Sequence, residues 1–148
     1  EPLAPDHVEA LADLRHCIDI PIAAGEKEFF AQGFHELFQK KAVDVAMPDL
    51  GRVGGILEAK NICAVAQAAG VPVSPHNFSS GVLLAATAHL MASTPNTTLL
   101  EVDTSGNAIY NDLVIEGVEF KNGYFHITDA PGLGVEIPEA VLETYAVA

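Results

Sequence analysis

"VDVAMPDLGRVGGILEAKNICAVAQAAGVPVSPHNF" (residues 43–78) holds two short apolar runs with a longer segment between them. The runs VDVAM (43–47) and VPVS (71–74) have the length and valine content of buried strands. The stretch 52–69 between them has the length and composition of a helix. It stops at Gly70, a residue free to take the positive φ that ends helices. A strand, a helix and a second strand in this order need a parallel sheet covered by helices.

The pattern extends in both directions. Residues 6–18 place Val8, Leu11, Leu14 and Ile18 near helical spacing, and IPIAA (20–24) reads as a strand. Residues 28–41 put Phe30, Phe34, Leu37 and Phe38 on one helical face. Residues 80–93 (SGVLLAATAHLMAS) are apolar all round, as a buried helix is, and TTLLEV (97–102) supplies a fourth strand. The order α-β-α-β-α-β-α-β predicts an α/β unit over residues 1–112. Residues 113–148 differ. VIEGVEF-KNG-YFHI (114–127) alternates and turns at Asn122-Gly123, a hairpin signal. A Pro/Gly-rich return and a terminal helix over 138–147, with Pro138 near its start, complete a flap expected to pack back on the unit.

Composition excludes several classes. The chain has 148 residues, 49% of them hydrophobic, enough for one sizeable core. Seven Lys and Arg face 20 Asp and Glu, a formal net charge of −13, which argues against nucleic acid or an anionic membrane as partner. The uncharged stretch at residues 78–100 is too polar to span a bilayer. Cys17 and Cys63 form no metal or redox motif and read as reduced core residues of a cytoplasmic protein. GRVGG (51–55) lacks the Gly-Lys-Ser/Thr of a P-loop.

The four strands share a feature at their C-terminal ends. IPIAA runs into Gly25-Glu26, VDVAM into Pro48-Asp49, VPVS into Pro75-His76, and TTLL into Glu101. The intervals between these four residues are 23, 27 and 25, about one βα unit each. Parallel α/β folds build their active sites at this rim. Taken singly, Asp49 reads as a helix cap, Glu26 and Glu101 as solvated carboxylates and His76 as a rim histidine. Four in phase point to a shared site. A Glu oxygen suits Mg²⁺. A His moves protons near neutral pH. An Asp beside it fixes its tautomer. A second Glu, held protonated, donates to a developing oxyanion. Together they describe proton abstraction next to a carboxylate.

The segments GEKEFF, AMPDLGRVGGILEAKNICAVAQAAGVPVSPHNF, ASTPNTTLLEVD and APGLGVEI resemble the C-terminal barrel of the enolase superfamily, mandelate racemase subgroup, and in particular its acid-sugar dehydratases. The resemblance implies the C-terminal part of a TIM-like (β/α)7β barrel. It implies Glu26 as the third of three carboxylate ligands to Mg²⁺, Asp49 and His76 as a dyad with His76 the general acid/base, and Glu101 as the partner of the substrate carboxylate and enediolate. Glu1-Pro2 resembles the tail of the family's Glu-Glu-Pro stretch. Its metal ligand would fall one residue before Glu1, so Glu1 is not assigned. The family's other metal ligands, its partner acid/base, the early strands and an N-terminal capping domain are not matched by any residue here. The implied activity is dehydration of an acid sugar, a small hydroxy-carboxylate, by a homo-oligomeric lyase. A racemase or epimerase shares the enediolate, and a non-catalytic α/β binding module would use the polar strand ends only as caps. His7, His16, His35 and His126 read as surface or half-buried residues, His89 as a hydrogen-bonded structural one, and Lys27 as solvated. Asn77, Ser79 and Ser80 are candidates for a pocket lining that the sequence does not decide.

Overall fold

A computed structural model describes residues 1–108, 110 and 119–146. Its elements are α1 (Val8–Cys17), β1 (Ala23–Ala24), α2 (Phe30–Gln39), β2 (Val45–Ala46), α3 (Ile56–Ala68), α4 (Gly81–Ala92), β3 (Glu119–Lys121), β4 (Tyr124–His126) and α5 (Glu139–Tyr145). β1 pairs parallel with β2, Ala23 opposite Val45 and Ala24 opposite Ala46. Two further parallel bridges, Ala46 to Val73 and Val73 to Thr97, extend the sheet. The four expected strands therefore lie side by side in chain order, and α2, α3 and α4 supply the three crossovers.

The ladder is shorter than the apolar runs 20–24, 43–47, 71–74 and 97–102 suggest. Proline is part of the reason. Pro21, Pro48, Pro72 and Pro75 sit in or beside these runs and have no N–H to donate. The bonds that remain are well formed. Met47 donates to the Ala24 carbonyl at 3.0 Å, Ser74 to Ala46 at 2.9 Å and Thr98 to Val73 at 2.9 Å.

Helix packing sets the positions of the strand ends. α3 buries Ala59, Ile62, Cys63 and Ala66, a stripe at helical spacing, and packs on α2 through Phe34, Leu37 and Phe38. It ends as expected at Gly70, with φ +72°. There Gly70 donates to the Gln67 carbonyl and Val71 to the Ala66 carbonyl. α4 has eight of its twelve residues buried, and Ser80 caps it by accepting from the Leu83 N–H at 3.2 Å.

Two expectations are corrected. Phe30 does not share the burial of Phe34, Leu37 and Phe38 but is 58% exposed. It opens α2 at φ +55°, which turns it off the helical stripe and lays its ring edge near Gly54. Cys17 is exposed rather than in the core, whereas Cys63 is buried. Leu11 is the one buried residue of α1, and a position six residues on lies ~240° round the helix from it.

The hairpin forms where expected. β3 and β4 pair antiparallel, and the turn residues Asn122 and Gly123 both have positive φ, 54° and 80°. The hairpin, α4 and residues 98–102 line one apolar groove of about 650 Å³. The expected boundary between residues 112 and 113 and the first hairpin residues lie outside the described residues. Among the described residues, no helix is long and apolar enough to cross a membrane.

Candidate active site

Each candidate residue follows its strand directly. His76 stands two residues after Ser74, whose N–H is bonded to the Ala46 carbonyl. Asp49 stands three residues past the end of β2. Adjacent strands in register thus bring the two side chains together. His76 Nδ1 and Asp49 Oδ2 are 2.8 Å apart. The Asp49 side chain is 7% exposed and that of His76 16%, so the contact is shielded from water. The other Asp49 oxygen, Oδ1, accepts from the Gly51 N–H at 2.7 Å. Asp49 is not the cap that its position alone suggests, because α3 begins at Ile56 with Gly55 at its N-cap. The carboxylate instead closes a turn at Gly51 and contacts the imidazole. With Nδ1–H donated to Asp49, Nε2 is the free nitrogen.

Nε2 points toward Glu26, whose Oε2 lies 3.4 Å away. Glu26 follows β1 on a bend that only glycine makes cheaply. Gly25 has φ +125°, and a Cβ on it would sit 2.7 Å from the Phe34 ring. Glu101 joins the group through the residue after the histidine, as its Oε2 accepts from the Asn77 N–H at 2.7 Å. All four residues singled out from the sequence are therefore linked. His76 touches Asp49 and Glu26, and Asn77 bonds Glu101.

The remaining histidines stand apart. His7, His16, His35 and His126 are exposed. His89 pairs with the Leu133 carbonyl at 3.1 Å and ties α4 to the C-terminal return.

Three residues beyond Glu26, Asp49, His76 and Glu101 contribute. Glu1 accepts from the Gly25 N–H at 3.0 Å and pairs with Lys27 Nζ at 3.2 Å, holding both neighbours of Glu26. Burial raises the Glu1 carboxyl, but the Gly25 N–H and the Lys27 ammonium outweigh it and leave the group below the ordinary range. Lys27 is thus ion-paired rather than simply solvated. Asn77, undecided in the sequence, is fully buried and bonds Glu101 twice. Tyr110, buried at 4% exposure, meets the Asn77 amide at 3.3 Å. Burial pushes its phenol up, so it stays protonated. The sequence marked Glu1-Pro2 and Asn77 without assigning either a role, and it carried no signal for Tyr110.

The fit to Mg²⁺ is partial. Glu26 offers the hard oxygen that this ion takes. Glu1 is engaged elsewhere, and among the described residues no group of three His, Cys, Asp or Glu side chains is placed to hold a metal.

The family model described as Enolase C-terminal domain-like matches residues 1–141. An arabinonate dehydratase of Saccharolobus solfataricus is 32% identical over 145 residues, covering 98% of this chain and 39% of that protein. A D-xylonate dehydratase of Haloferax volcanii is 33% identical over 147 residues, covering 99% and 36%. The solved structure of the 3,6-anhydro-D-galactonate cycloisomerase from Zobellia galactanivorans superposes with a TM-score of 0.92 at 34% identity, over 98% of this chain and 41% of that one. The chain therefore spans about two fifths of the length of these relatives.

Proposed function

The chain belongs to the enolase C-terminal domain-like family, and from that membership we propose that the polypeptide carrying it is a sugar-acid dehydratase. Its parallel segments are part of a TIM-like barrel. The observation that carries the reading is the imidazole of His76, bonded through Nδ1 to Asp49 and open through Nε2 toward Glu26.

In this reading Nε2 of His76 takes the proton α to the substrate carboxylate. The C–H electron pair becomes the C=C bond of an enediolate. That pair then moves to the Cα–Cβ bond, the β-C–O bond breaks, and the leaving oxygen takes a proton from the imidazolium to depart as water. The enol that remains tautomerises to a 2-keto acid. Asp49 holds Nδ1–H and stabilises the imidazolium between the two transfers. Glu101 has one oxygen fixed by the Asn77 N–H; in this reading the other carries a proton and donates it in a hydrogen bond to the substrate carboxylate and enediolate. Mg²⁺, for which Glu26 would be this chain's ligand, supplies charge to lower the acidity barrier of the α-carbon.

An isomerase shares the enediolate and returns the proton to carbon. The likeness to a cycloisomerase favours keeping it as a second reading. The free thiols of Cys17 and Cys63 suit a cytoplasmic enzyme, and an outward apolar residue on α3, Leu57, suits a homo-oligomer.

The test uses the natural full-length polypeptide, a panel of aldonic and aldaric acids, Mg²⁺ and proton NMR in D₂O. The dehydratase reading expects a 2-keto product, with His76→Asn slowing its formation at least ~100-fold. Deuterium at the α-carbon without a keto product selects the isomerase. A panel left untouched by the wild type removes both.

A further inference from the structure

The parallel ladder stops early next to the candidate site. The last sheet bonds between the third and fourth segments join Val73 to residues 96 and 98. Beyond them, side chains take over. Ser74 Oγ donates to the Leu99 carbonyl at 2.8 Å, and Asn77 Nδ2 donates to the Glu101 carbonyl at 3.0 Å. The Asn77 N–H also donates to Glu101 Oε2 at 2.7 Å. One buried residue therefore grips Glu101 by both its main chain and its carboxylate.

We propose that Asn77 is a positioning residue that sets Glu101 relative to His76, with Tyr110 locking its amide in place. His76 and Asn77 are joined by one peptide bond, so whatever Asn77 holds is fixed relative to the imidazole. The bond to the Glu101 carbonyl fixes which end of the amide is Nδ2. The same nitrogen meets Tyr110 Oη at 3.3 Å, and the Asp103 backbone also hydrogen-bonds that phenol oxygen. Tyr110 is thereby attached to the same strand end.

The cost of this arrangement supports a purpose beyond stability. Asn77 is 0% exposed, and its Oδ1 has no partner among the described residues. A buried, unpaired amide oxygen is unfavourable, and an apolar residue of similar size would avoid it. What an apolar residue lacks is the donor that reaches the Glu101 carbonyl. Misplacement of a catalytic group by a fraction of an ångström is felt directly in the rate.

The kinetic arm of the test rests on the dehydratase reading; a second arm does not. In the natural full-length polypeptide, Asn77→Ala should lower kcat about 10–100-fold while KM moves less than about 3-fold. In a Glu101→Gln background the same change should cost less than about 3-fold, because the group it serves is already impaired. Losses that simply multiply overturn the proposal, as does an Asn77→Ala enzyme within about 2-fold of wild type. Should Asn77→Ala fail to fold, Tyr110→Phe carries the same cycle. It should lower kcat alone and add almost nothing to Glu101→Gln. The second arm is hydrogen exchange without substrate. Asn77→Ala, or Tyr110→Phe in its place, should speed exchange in peptides covering residues 97–103 and leave α3 unchanged. Unchanged exchange at 97–103 overturns the proposal whatever becomes of the dehydratase reading. A wild type inert on every acid sugar overturns only that reading.

Discussion

His76 lies between two carboxylates that act on different nitrogens. Asp49 Oδ2 holds Nδ1 at 2.8 Å and determines the tautomer, so under the proposed function the reactive nitrogen is the one facing Glu26. Asp49→Asn preserves shape and the turn contact to Gly51 but presents an amide to Nδ1. Under the proposed function, kcat should fall roughly 10²–10⁴-fold with KM little changed, read by steady-state kinetics. The two cysteines give a separate check. Burial pushes the Cys63 thiol up to about 11, from an ordinary 9.0. At pH 8 a disulfide reagent should label Cys17 promptly and Cys63 only after denaturation. The same burial makes stability depend on pH. The folded thiol keeps its proton up to about 11, while the unfolded one loses it near 9, so stability falls as pH rises through that window. Cys63→Ala should remove that part of the alkaline slope in denaturant titrations.

Asp44, at the entry to β2, fastens three elements together. Its Oδ1 takes Arg15 Nε at 2.8 Å, its Oδ2 takes the Ile22 N–H at 2.8 Å, and the Arg15 guanidinium also reaches the Lys41 carbonyl. α1, the approach to β1 and the end of α2 are thus joined at one carboxylate. The Arg15 contact outweighs burial and, with the Ile22 N–H, holds the Asp44 carboxyl below its ordinary value. A depressed carboxylate contributes above its ordinary pKa, and the contribution fades as pH falls through the folded one. Asp44→Asn should destabilise the fold by about 1–2 kcal/mol at pH 7, the lower figure reflecting partial exposure of the pair. The variant should also lose the matching part of the acid slope below pH ~4 in thermal melts.

Under the proposed function, Glu26 is the one carboxylate that this chain would bring to a Mg²⁺ site needing more ligands. Isothermal titration of residues 1–148 with Mg²⁺ should therefore give no saturable, tight binding. Tight binding would mean that ligands other than Glu26 lie within these residues. The extended segments present apolar residues outward, among them Ile20 at 73% and Leu99 at 76% exposure. A formal charge of −13 opposes close approach of copies, so any association of the isolated chain should strengthen with salt.

Much of the architecture could be read from residue order. Valine-rich runs around a Gly70-terminated helix require parallel pairing, because both faces of such strands must be covered. Asn122-Gly123 fixed the hairpin turn, since both positions need positive φ. The spacing of Glu26, Asp49, His76 and Glu101 followed from one βα unit per strand, so their shared rim was foreseeable. Which nitrogen of His76 meets which carboxylate was not, nor was the burial of Asn77 or the tie from Glu1 to Gly25. Phe30 and Cys17 had apolar character but not the interior place expected of it. Period and composition are local and can be read along a chain. Side-chain direction at a strand end depends on neighbours 24 to 27 residues away, and those meet only when the sheet forms.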